Sequence, residues 1–528
     1  MNKKFALYSL ISLLVLASML FSACGTAKPT TAPTQPPAAN ATTAPAAAAT
    51  EVPTAVPTTE PPVQIDFAYL SFNKIPETDA LATVEQAINA ITVPKINATV
   101  KLHPFGIPDY FQQVTLMLQS GEGLDVFSSL GDFPQRVSQN QFTDISSMID
   151  KDAPEAMAVV GDAFLKTSTL NGKLYGIPAY KGVALAPDLV YRADVMKDIG
   201  VDPASIKSVN DLTDVFAKVK AKYPDMTPLV PVQGGSSGLI TTLFGADVDF
   251  LGDSYLVPVA VLDGNNTTVV DFYETQRFKD LTTLAREWYN KGYILKDAAT
   301  TTSSSIELMS SGKGFAYIAA YSGNAAWTQI SAQTGKDIKM VRLGQPHLST
   351  SSVNALVWGV TSTSKHPDAA LKFINMLFTD KDVINLVIFG IEGADYVKVD
   401  ADHVKYPDGQ DASTVPYTAQ LSCGVVGNQF IQYQMAGTDM ADLELWLNEN
   451  KNSPMSLAMG FTFDNSSVAN EYSAVTNVIN QYLPGLITGS MDPAEITNFV
   501  AKLKAAGMDK IVQAKQQQLD QWLSTQKK

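Results

Sequence analysis

Short apolar segments alternate with longer amphipathic segments along most of the chain. Val63–Leu70, Asn97–Leu102 and Leu124–Phe127 each combine the length and the apolar content of a buried β-strand. Between the first two, apolar residues recur at spacings of four and three from Val84 to Ile91, which predicts a helix. Strands that alternate with helices in this way favour a largely parallel sheet with helices on both faces.

Further helices are predicted by the same periodicity and by their end signals. Pro367 stands in the first turn of one of them, and Asp492-Pro493 begins another. The predicted spans are Tyr110–Leu118, Thr275–Asn290, His366–Phe378, the segment from Asp492 to Gly507, and Asp509–Leu523. Even without its first 62 residues, the 528-residue chain is too long for one ordinary core, so two lobes are expected.

The first 23 residues have the pattern of a secretory signal peptide. Two lysines precede the apolar run Phe5–Phe21, and the small pair Ser22-Ala23 follows it. Cys24 then resembles the lipidated cysteine of the bacterial lipobox, although Phe21 stands where leucine is usual. The resemblance implies a diacylglycerol on Cys24 and an anchor in the outer face of the membrane. An uncleaved membrane anchor and an ordinary secreted protein are the alternatives.

Residues 24–62 consist of Cys24 followed by a segment made mostly of Pro, Thr and Ala. This segment has no aromatic residue and almost no charge, so it cannot bury enough apolar surface to offset the entropy of ordering it. We therefore predict a disordered tether, extended in part as polyproline II, before a folded domain at 63–528.

Composition argues against several classes of function. The net charge is −14 and no block of Lys and Arg occurs, which argues against nucleic-acid binding. The four histidines lack metal-ligand spacing, and no phosphate-binding loop or nucleophile-elbow motif is present. The acidic run Asp247–Asp253 lacks the distal Glu of a calcium loop and is interpreted as an ordinary loop. With Cys24 lipidated, Cys423 has no partner for an intrachain disulfide.

Five segments, in this order, resemble the extracellular solute-binding proteins of ABC importers, and more narrowly the large oligosaccharide-type lipoproteins, the LipO-like group. The resemblance extends over most of the chain after residue 63. One departure is that Cys423-Gly424-Val425-Val426 stands where an aromatic residue is expected. The five segments are Ser120–Ser129, Leu170–Gly182 as the first crossover between lobes, Met309–Trp327 as the return to the first lobe, Trp358–Val397 and Leu503–Trp522.

This resemblance implies an α/β, two-lobed periplasmic-binding-protein-like fold of type II, with hinge strands between the lobes and a ligand cleft. The first lobe is expected to comprise residues 63–178 and 312–357, and the second 179–311 and 358–528. The implied function is to capture an oligosaccharide or other carbohydrate by lobe closure and to deliver it to the permease subunits of an ABC importer.

We expect a monomer that is not an enzyme, that needs no cofactor or metal, and that meets the membrane through its lipid anchor alone. The alternatives are a surface enzyme acting on polysaccharide, an adhesin-type lipoprotein, and a binding protein for a non-sugar solute such as a peptide. No motif selects a carboxylate pair for glycoside hydrolysis from the 52 acidic residues.

Aromatic residues in loops are the first candidates for carbohydrate contact, because sugar rings pack their C–H faces on flat side chains while a few polar groups bind the hydroxyls. Arg192 has two interpretations, a donor fork for the ligand or a salt bridge with Asp194 or Asp198. The carboxyl ends of the first strands are expected at the cleft edge. The predicted ligand-binding residues are Tyr180, Trp327, Glu392, Tyr396, Phe430, Asn428, Tyr321, Arg192, Ser128, Ser129, Phe72, Asp132 and Lys181.

Overall fold

The structure is a computed structural model that describes residues 60–526 apart from 122, 233–237, 245–247, 254–256, 263–265, 322–329, 332 and 422–423. The predicted signal peptide, Cys24, Cys423 and almost all of the predicted tether lie outside the described residues. Within the described part of the chain, no helix is both long enough and apolar enough to cross a membrane.

Strands and helices alternate from Val63 onwards, as the sequence predicts. The strands are β1 (Val63–Ser71), β2 (Ala98–Gly106), β3 (Val126–Leu130), β4 (Thr169–Leu170), β5 (Lys173–Leu174), β6 (Ile177–Pro178), β7 (Ala186–Arg192), β8 (Thr227–Leu229), β9 (Val248–Asp249), β10 (Val259–Leu262), β11 (Val269–Asp271), β12 (Gly314–Tyr321), β13 (Ile338–Arg342), β14 (Leu356–Val360), β15 (Val397–Lys398), β16 (His403–Lys405) and β17 (Gln434–Met435).

Helices occupy most of the segments between these strands and about two thirds of the described chain after the last one. They are α1 (Thr78–Ile96), α2 (Ile107–Ser120), α3 (Phe133–Ser138), α4 (Ile149–Asp152), α5 (Pro154–Val160), α6 (Asp162–Leu165), α7 (Ala193–Asp198), α8 (Leu212–Lys222), α9 (Gln276–Asn290), α10 (Ser305–Ser310), α11 (Thr350–Val353), α12 (Pro367–Thr379), α13 (Lys381–Phe389), α14 (Met440–Asn452), α15 (Ala469–Thr488), α16 (Ile496–Ala505) and α17 (Met508–Gln526).

The first lobe is built on a five-stranded sheet in the order β2-β1-β3-β14-β6. β1 pairs in parallel with β2 and β3, and Phe67 lies opposite Leu102 and Val126. β14 runs antiparallel to its neighbours β3 and β6. Helices α1, α12 and α13 pack on this sheet, and the buried rings of Phe67 and Phe373 lie 5.2 Å apart in its core.

The second lobe is built on a four-stranded sheet in the order β13-β7-β12-β8. β7 is antiparallel to both β12 and β13, and β8 is parallel to β12. Helices α8 and α9 meet in its core, where the rings of Phe216 and Trp288 lie 5.0 Å apart. Helix α15 packs on α9, and α17 covers a small sheet made of β11, β10 and β9.

In the part of the chain that the structure describes, three segments connect the lobes. The first crossing segment is residues 179–185, the second is 343–355, and the third is 436–456, which includes α14. Leu185 and His347 exchange both backbone hydrogen bonds, at 3.1 and 3.0 Å, which joins the first segment to the second. Leu348 likewise bonds to Pro454 and Ser456, at 2.9 Å each, which joins the second to the third. The hinge is therefore a set of three hydrogen-bonded segments.

The lobe boundaries differ from the predicted ones. The described residues of 312–342 belong to the second lobe and not the first, because β12 and β13 both pair with β7. The described residues of 356–435 belong to the first lobe, because the apolar faces of α12 and α13 are buried in its core. Helical periodicity identifies the buried face of a helix but not the sheet that covers it.

Candidate functional site

The candidate site lies on the first lobe where β1, β3 and β6 end and β14 begins. These ends share one edge because β1 and β3 are parallel and β14 is antiparallel to both β3 and β6. Gly131 N donates to Ala355 O at 2.8 Å, and Ala179 N donates to Leu356 O at 2.9 Å. The first crossing segment starts directly after β6, so this edge lies at the hinge. Open α/β sheets bind their ligands at such strand ends.

The segment made of residues 417–421 and 424–430 lies along this edge and holds two of the strand ends. Phe72 N donates to Ala419 O at 3.0 Å, and Tyr180 N donates to Gly427 O at 2.8 Å. Gly427 has φ of +52°, and a Cβ added there would collide with Leu377 O at the end of α12. Glycine is therefore required where this segment passes the helix.

Tyr180 and Phe430 form an aromatic pair at the edge. Their ring centroids lie 5.3 Å apart with the planes at 67°, and both rings are half-buried. The ring of Phe164 lies 6.4 Å from that of Tyr180. Burial raises the pKa of the Tyr180 phenol, so the hydroxyl stays protonated at neutral pH and can donate a hydrogen bond. The structure brings together these two residues of the predicted site.

Phe72 adds an exposed apolar surface to the same edge. Its side chain is 36% exposed, and the side chain of Ile75, three residues on, is 48% exposed. Asn73 holds the intervening loop, because its Nδ2 donates to Ala412 O. The edge therefore presents a third aromatic ring on a loop that is fixed to the neighbouring segment.

The corresponding edge of the second lobe contains the start of β7 and the ends of β8 and β12. Ala186 pairs with Tyr321 at this edge, directly after the first crossing segment. The side chain of Tyr321 and the whole of Trp327 lie outside the described residues, so ligand contact by either stays a prediction.

The side chain of Asn428 forms its hydrogen bonds within the first lobe. Its Nδ2 donates to Phe378 O at 3.1 Å, and its Oδ1 accepts from Phe430 N at 3.0 Å. Its side chain is buried. These bonds fix the short 3-10 turn that carries Phe430, so the described contacts of Asn428 are structural, and its contact with a ligand stays a prediction.

The polar residues of β3 and the loop after it are also bonded inside the lobe. Ser128 and Ser129 are buried, and Ser129 Oγ accepts from Val357 N at 3.3 Å. Asp132 accepts from Arg136 Nε at 2.7 Å, one turn into α3. The described hydrogen bonds of these three residues lie within the fold, and ligand contact by them stays a prediction.

Arg192 forms the salt bridge that was the alternative to ligand binding. Its guanidinium donates to both carboxylate oxygens of Asp194, at 3.1 and 2.6 Å. Arg192 also stands at the opposite end of β7 from Ala186, about 20 Å from the hinge at the rise of an extended strand. It is too far from the candidate edge to contact a ligand there.

Glu392 and Tyr396 are engaged with their neighbours in the first lobe. Glu392 pairs with Lys398 at 2.9 Å in an exposed ion pair. The ring of Tyr396 is buried 5.9 Å from that of Phe389 and 6.0 Å from that of Tyr433. Burial raises the pKa of Tyr396 to about 12. The loop was predicted to recognise hydroxyl groups, but the described contacts of both residues are structural.

Lys181 lies in the first crossing segment. This segment is held by Asn450, a residue that the sequence did not single out. Asn450 of α14 accepts from Val183 N and Ala184 N at 3.0 and 3.3 Å, and its Nδ2 donates to Lys181 O at 2.7 Å. One buried amide therefore ties the third crossing segment to the first. The repeated Asn residues of NENKN resemble an ordinary helix end, so no sequence signal identifies it.

A second tie stands beside it on the same helix. Arg342, at the end of β13, donates to Glu449 at 2.5 Å and to Asp188 at 3.4 Å.

The candidate site as a whole offers aromatic ring faces and backbone polar groups, which are groups that can bind a ligand. Among the residues that the structure describes, no group of three or more His, Cys, Asp or Glu side chains could hold a metal ion.

The sequence profile described as "Bacterial extracellular solute-binding protein" matches residues 86–388, which is more than half of the chain. The chain belongs to the family of bacterial extracellular solute-binding proteins. The family's description places it outside the cytoplasm, and the two-lobed α/β fold predicted from the sequence is confirmed. A second profile, a domain of unknown function (DUF3502), matches residues 457–524.

Two curated proteins are similar to this solute-binding protein in sequence. A carbohydrate ABC transporter substrate-binding protein of Streptococcus pneumoniae is 25% identical over 448 residues, 83% of this chain and 87% of the relative. An arabinooligosaccharide-binding protein of Bacillus subtilis is 26% identical over 161 residues, 30% of this chain and 35% of the relative. Both relatives are described as binding proteins.

A solved structure shares the fold over nearly the whole described chain. The N-glycan transport solute binding protein (NgtS) of Streptococcus pneumoniae superposes with a TM-score of 0.76 at 23% identity. The match covers 88% of this chain and 100% of that chain. At this identity, the comparison establishes the architecture alone. The ligand of this solute-binding protein has to be inferred from its own residues.

Proposed function

We propose that this solute-binding protein captures an oligosaccharide between its lobes and delivers it to an ABC permease. The observation that carries the proposal is the aromatic edge of the first lobe, where Tyr180 and Phe430 pair 5.3 Å apart and Phe72 is exposed nearby. The carbohydrate ligands in the descriptions of its curated relatives support the same class.

The physical basis is the two-sided chemistry of a sugar. The C–H face of a pyranose or furanose ring is apolar and packs on an aromatic face, while its hydroxyls need donors and acceptors. Tyr180 offers both, because its half-buried ring carries a hydroxyl that stays protonated at neutral pH. A ligand held by both lobes stabilises the closed form, since it binds that form more tightly than the open one.

The anchor and the partner are part of the same proposal. Lipidation at Cys24 and a Pro/Thr/Ala tether would keep the binding domain near the membrane that holds the permease, at a high effective concentration. The protein then acts as a binding component without turnover of the sugar, and mass spectrometry of the mature N-terminus tests for the diacylglycerol.

Titration calorimetry with N-glycan fragments and arabino-oligosaccharides tests the ligand class, with a peptide mixture as the competing class. We expect binding by at least one oligosaccharide and an affinity roughly tenfold weaker in Tyr180→Ala, which corresponds to a loss of about 1.4 kcal/mol. Tyr223→Ala is the matched control, because Tyr223 is a half-buried tyrosine whose hydroxyl donates to Asp198 of α7, beyond the end of β7 that lies opposite the hinge. Binding of peptides alone, or equal losses in both variants, would contradict the proposal.

A further inference from the structure

The acidic run Asp247–Asp253, interpreted from the sequence as an ordinary loop, contains a turn with an unusual backbone. Asp253 N donates to Phe250 O at 3.3 Å, and the two central residues both have positive φ, +63° at Leu251 and +74° at Gly252. Glycine adopts this conformation freely, but leucine does so only against steric resistance. The surroundings of the turn must therefore hold it in place.

The surroundings that hold the turn come from the domain of unknown function, residues 457–524. Phe463 N donates to Leu251 O at 3.1 Å. Gly252 packs so closely on Thr462 that an added Cβ would lie 2.9 Å from its hydroxyl oxygen. The helices of the same domain supply two further side chains.

Those side chains are Lys515 of α17 and Tyr472 of α15. The Lys515 ammonium is fully buried and donates to Phe250 O, Val259 O and Asp253, the last at 3.0 Å. The Tyr472 hydroxyl donates to the other oxygen of Asp253 at 2.9 Å. Both ends of the turn are thus fixed by residues of one domain.

The residue before the turn reaches the hinge. Asp249 is fully buried, and its carboxylate accepts from the backbone N and the hydroxyl of Thr350, each at 3.3 Å. Thr350 belongs to the second crossing segment, and the residues on either side of it, Leu348 and Val353, are part of the first-lobe core. The held turn therefore presents a carboxylate of the second lobe to the hinge.

The start of the same domain also reaches the hinge and the first lobe directly. Gly460 N donates to the Thr350 hydroxyl at 3.1 Å, and that hydroxyl lies 3.2 Å from Ala458 O. The Thr462 hydroxyl donates to Thr167 O of the first lobe at 3.1 Å. Residues 458–463 therefore contact both lobes and the segment between them.

From these contacts we propose that the domain at residues 457–524 is a hinge brace. It holds the Phe250–Asp253 turn, so that Asp249 anchors Thr350, and it bonds to the first lobe through Thr462. These bonds fix the angle between the lobes in the absence of ligand, and the brace sets how readily the lobes close.

The test measures the distribution of distances between the lobes in the absence of ligand, by double electron–electron resonance between two spin labels. Exposed positions on α1 and α8 carry the labels, as Ala90→Cys and Lys218→Cys in the full chain with Cys24→Ser and Cys423→Ser. Thr350→Val and Thr462→Val each remove hydroxyl bonds of the brace at almost constant volume. Because no ligand is added, the result does not depend on which solute the protein binds.

We expect each valine variant to change the ratio of interlobe distances about fivefold, the effect of losing one hydrogen bond. Thr488→Val is the matched control, since this buried threonine of the same domain bonds to Pro484 O within its own helix. Thr462→Ser keeps the hydroxyl and should retain the wild-type distribution. Unchanged distributions in both Thr350→Val and Thr462→Val, with melting temperatures lowered as in the control, would overturn the proposal.

Discussion

Replacing Asp271 by asparagine tests how the second lobe tolerates a buried charge. Asp271 is 7% exposed, and its Oδ1 accepts from Tyr273 N at 2.9 Å. Among the described residues, Oδ2 is buried without a hydrogen-bond partner. Burial, and then the nearby carboxylate of Glu274, raise the pKa of Asp271 to about 7. The side chain is therefore largely protonated below neutral pH.

The sign and size of the effect follow from the shift in pKa. Between pH 3.8 and about 7 the folded state binds a proton that the unfolded state has released, so the free energy of unfolding falls as pH rises through this window. The difference between a pKa of 3.8 in the unfolded state and about 7 in the folded state corresponds to an upper bound of about 4 kcal/mol. The asparagine side chain carries no charge at any pH, so Asp271→Asn should remove this loss.

Urea unfolding of both proteins at pH 5 and pH 8.5 provides the measurement. We expect the stability advantage of Asp271→Asn over wild type to be at least about 1 kcal/mol larger at pH 8.5 than at pH 5, because the folded wild-type side chain is still neutral at pH 5 and ionised at pH 8.5. Asp211→Asn is the control, because backbone hydrogen bonds from Lys207 and Ser208 lower the pKa of Asp211, so its carboxylate is ionised at both pH values and this variant should differ from wild type by the same amount at each. An equal difference between Asp271→Asn and wild type at both pH values would contradict the raised pKa of Asp271 in the folded state.

Two further substitutions separate structural from binding roles. Lys515→Met should reduce the free energy of unfolding in urea by about 3–5 kcal/mol, because it leaves the carboxylate of Asp253 buried without its cation. Lys510→Met is the control, because Lys510 belongs to an exposed ion pair, and it should reduce the free energy of unfolding by less than about 1 kcal/mol. Arg192→Gln should leave the affinity for an oligosaccharide unchanged within twofold in calorimetry, since Arg192 pairs with Asp194 far from the hinge. A tenfold loss of affinity would mean that Arg192 contacts the ligand.

The elements of this fold could be predicted from local signals. The helix predicted at Thr275–Asn290 is found at Gln276–Asn290, with the Thr275 hydroxyl accepting from Phe278 N as its cap. The helix predicted at His366–Phe378 is found at Pro367–Thr379, with the proline in its first turn. Periodicity and caps are properties of a few neighbouring residues, so the sequence contains them completely.

The assignment of elements to lobes could not be predicted in the same way. Helix α12 has an apolar face that would suit either sheet, and what decides its partner is that β14 joins the first lobe next to β3. Pairing between strands more than 200 residues apart depends on long-range packing. The hinge residue Asn450 was missed for the same reason, because its three partners lie more than 250 residues away.

In the candidate site, polar residues and aromatic residues differ in what their positions imply about a ligand. Ser129, Asp132 and Asn428 were expected at the ligand because they are polar residues in loops and strand ends, yet each is bonded within the lobe. A buried polar group must find a partner, so the fold itself accounts for it without any need of a ligand. An aromatic ring has no such requirement, and one that stays half-exposed at a strand end leaves apolar surface uncovered. The positions of Tyr180 and Phe430 are therefore stronger evidence for a ligand at this edge than the positions of the hydrogen-bonded residues beside them.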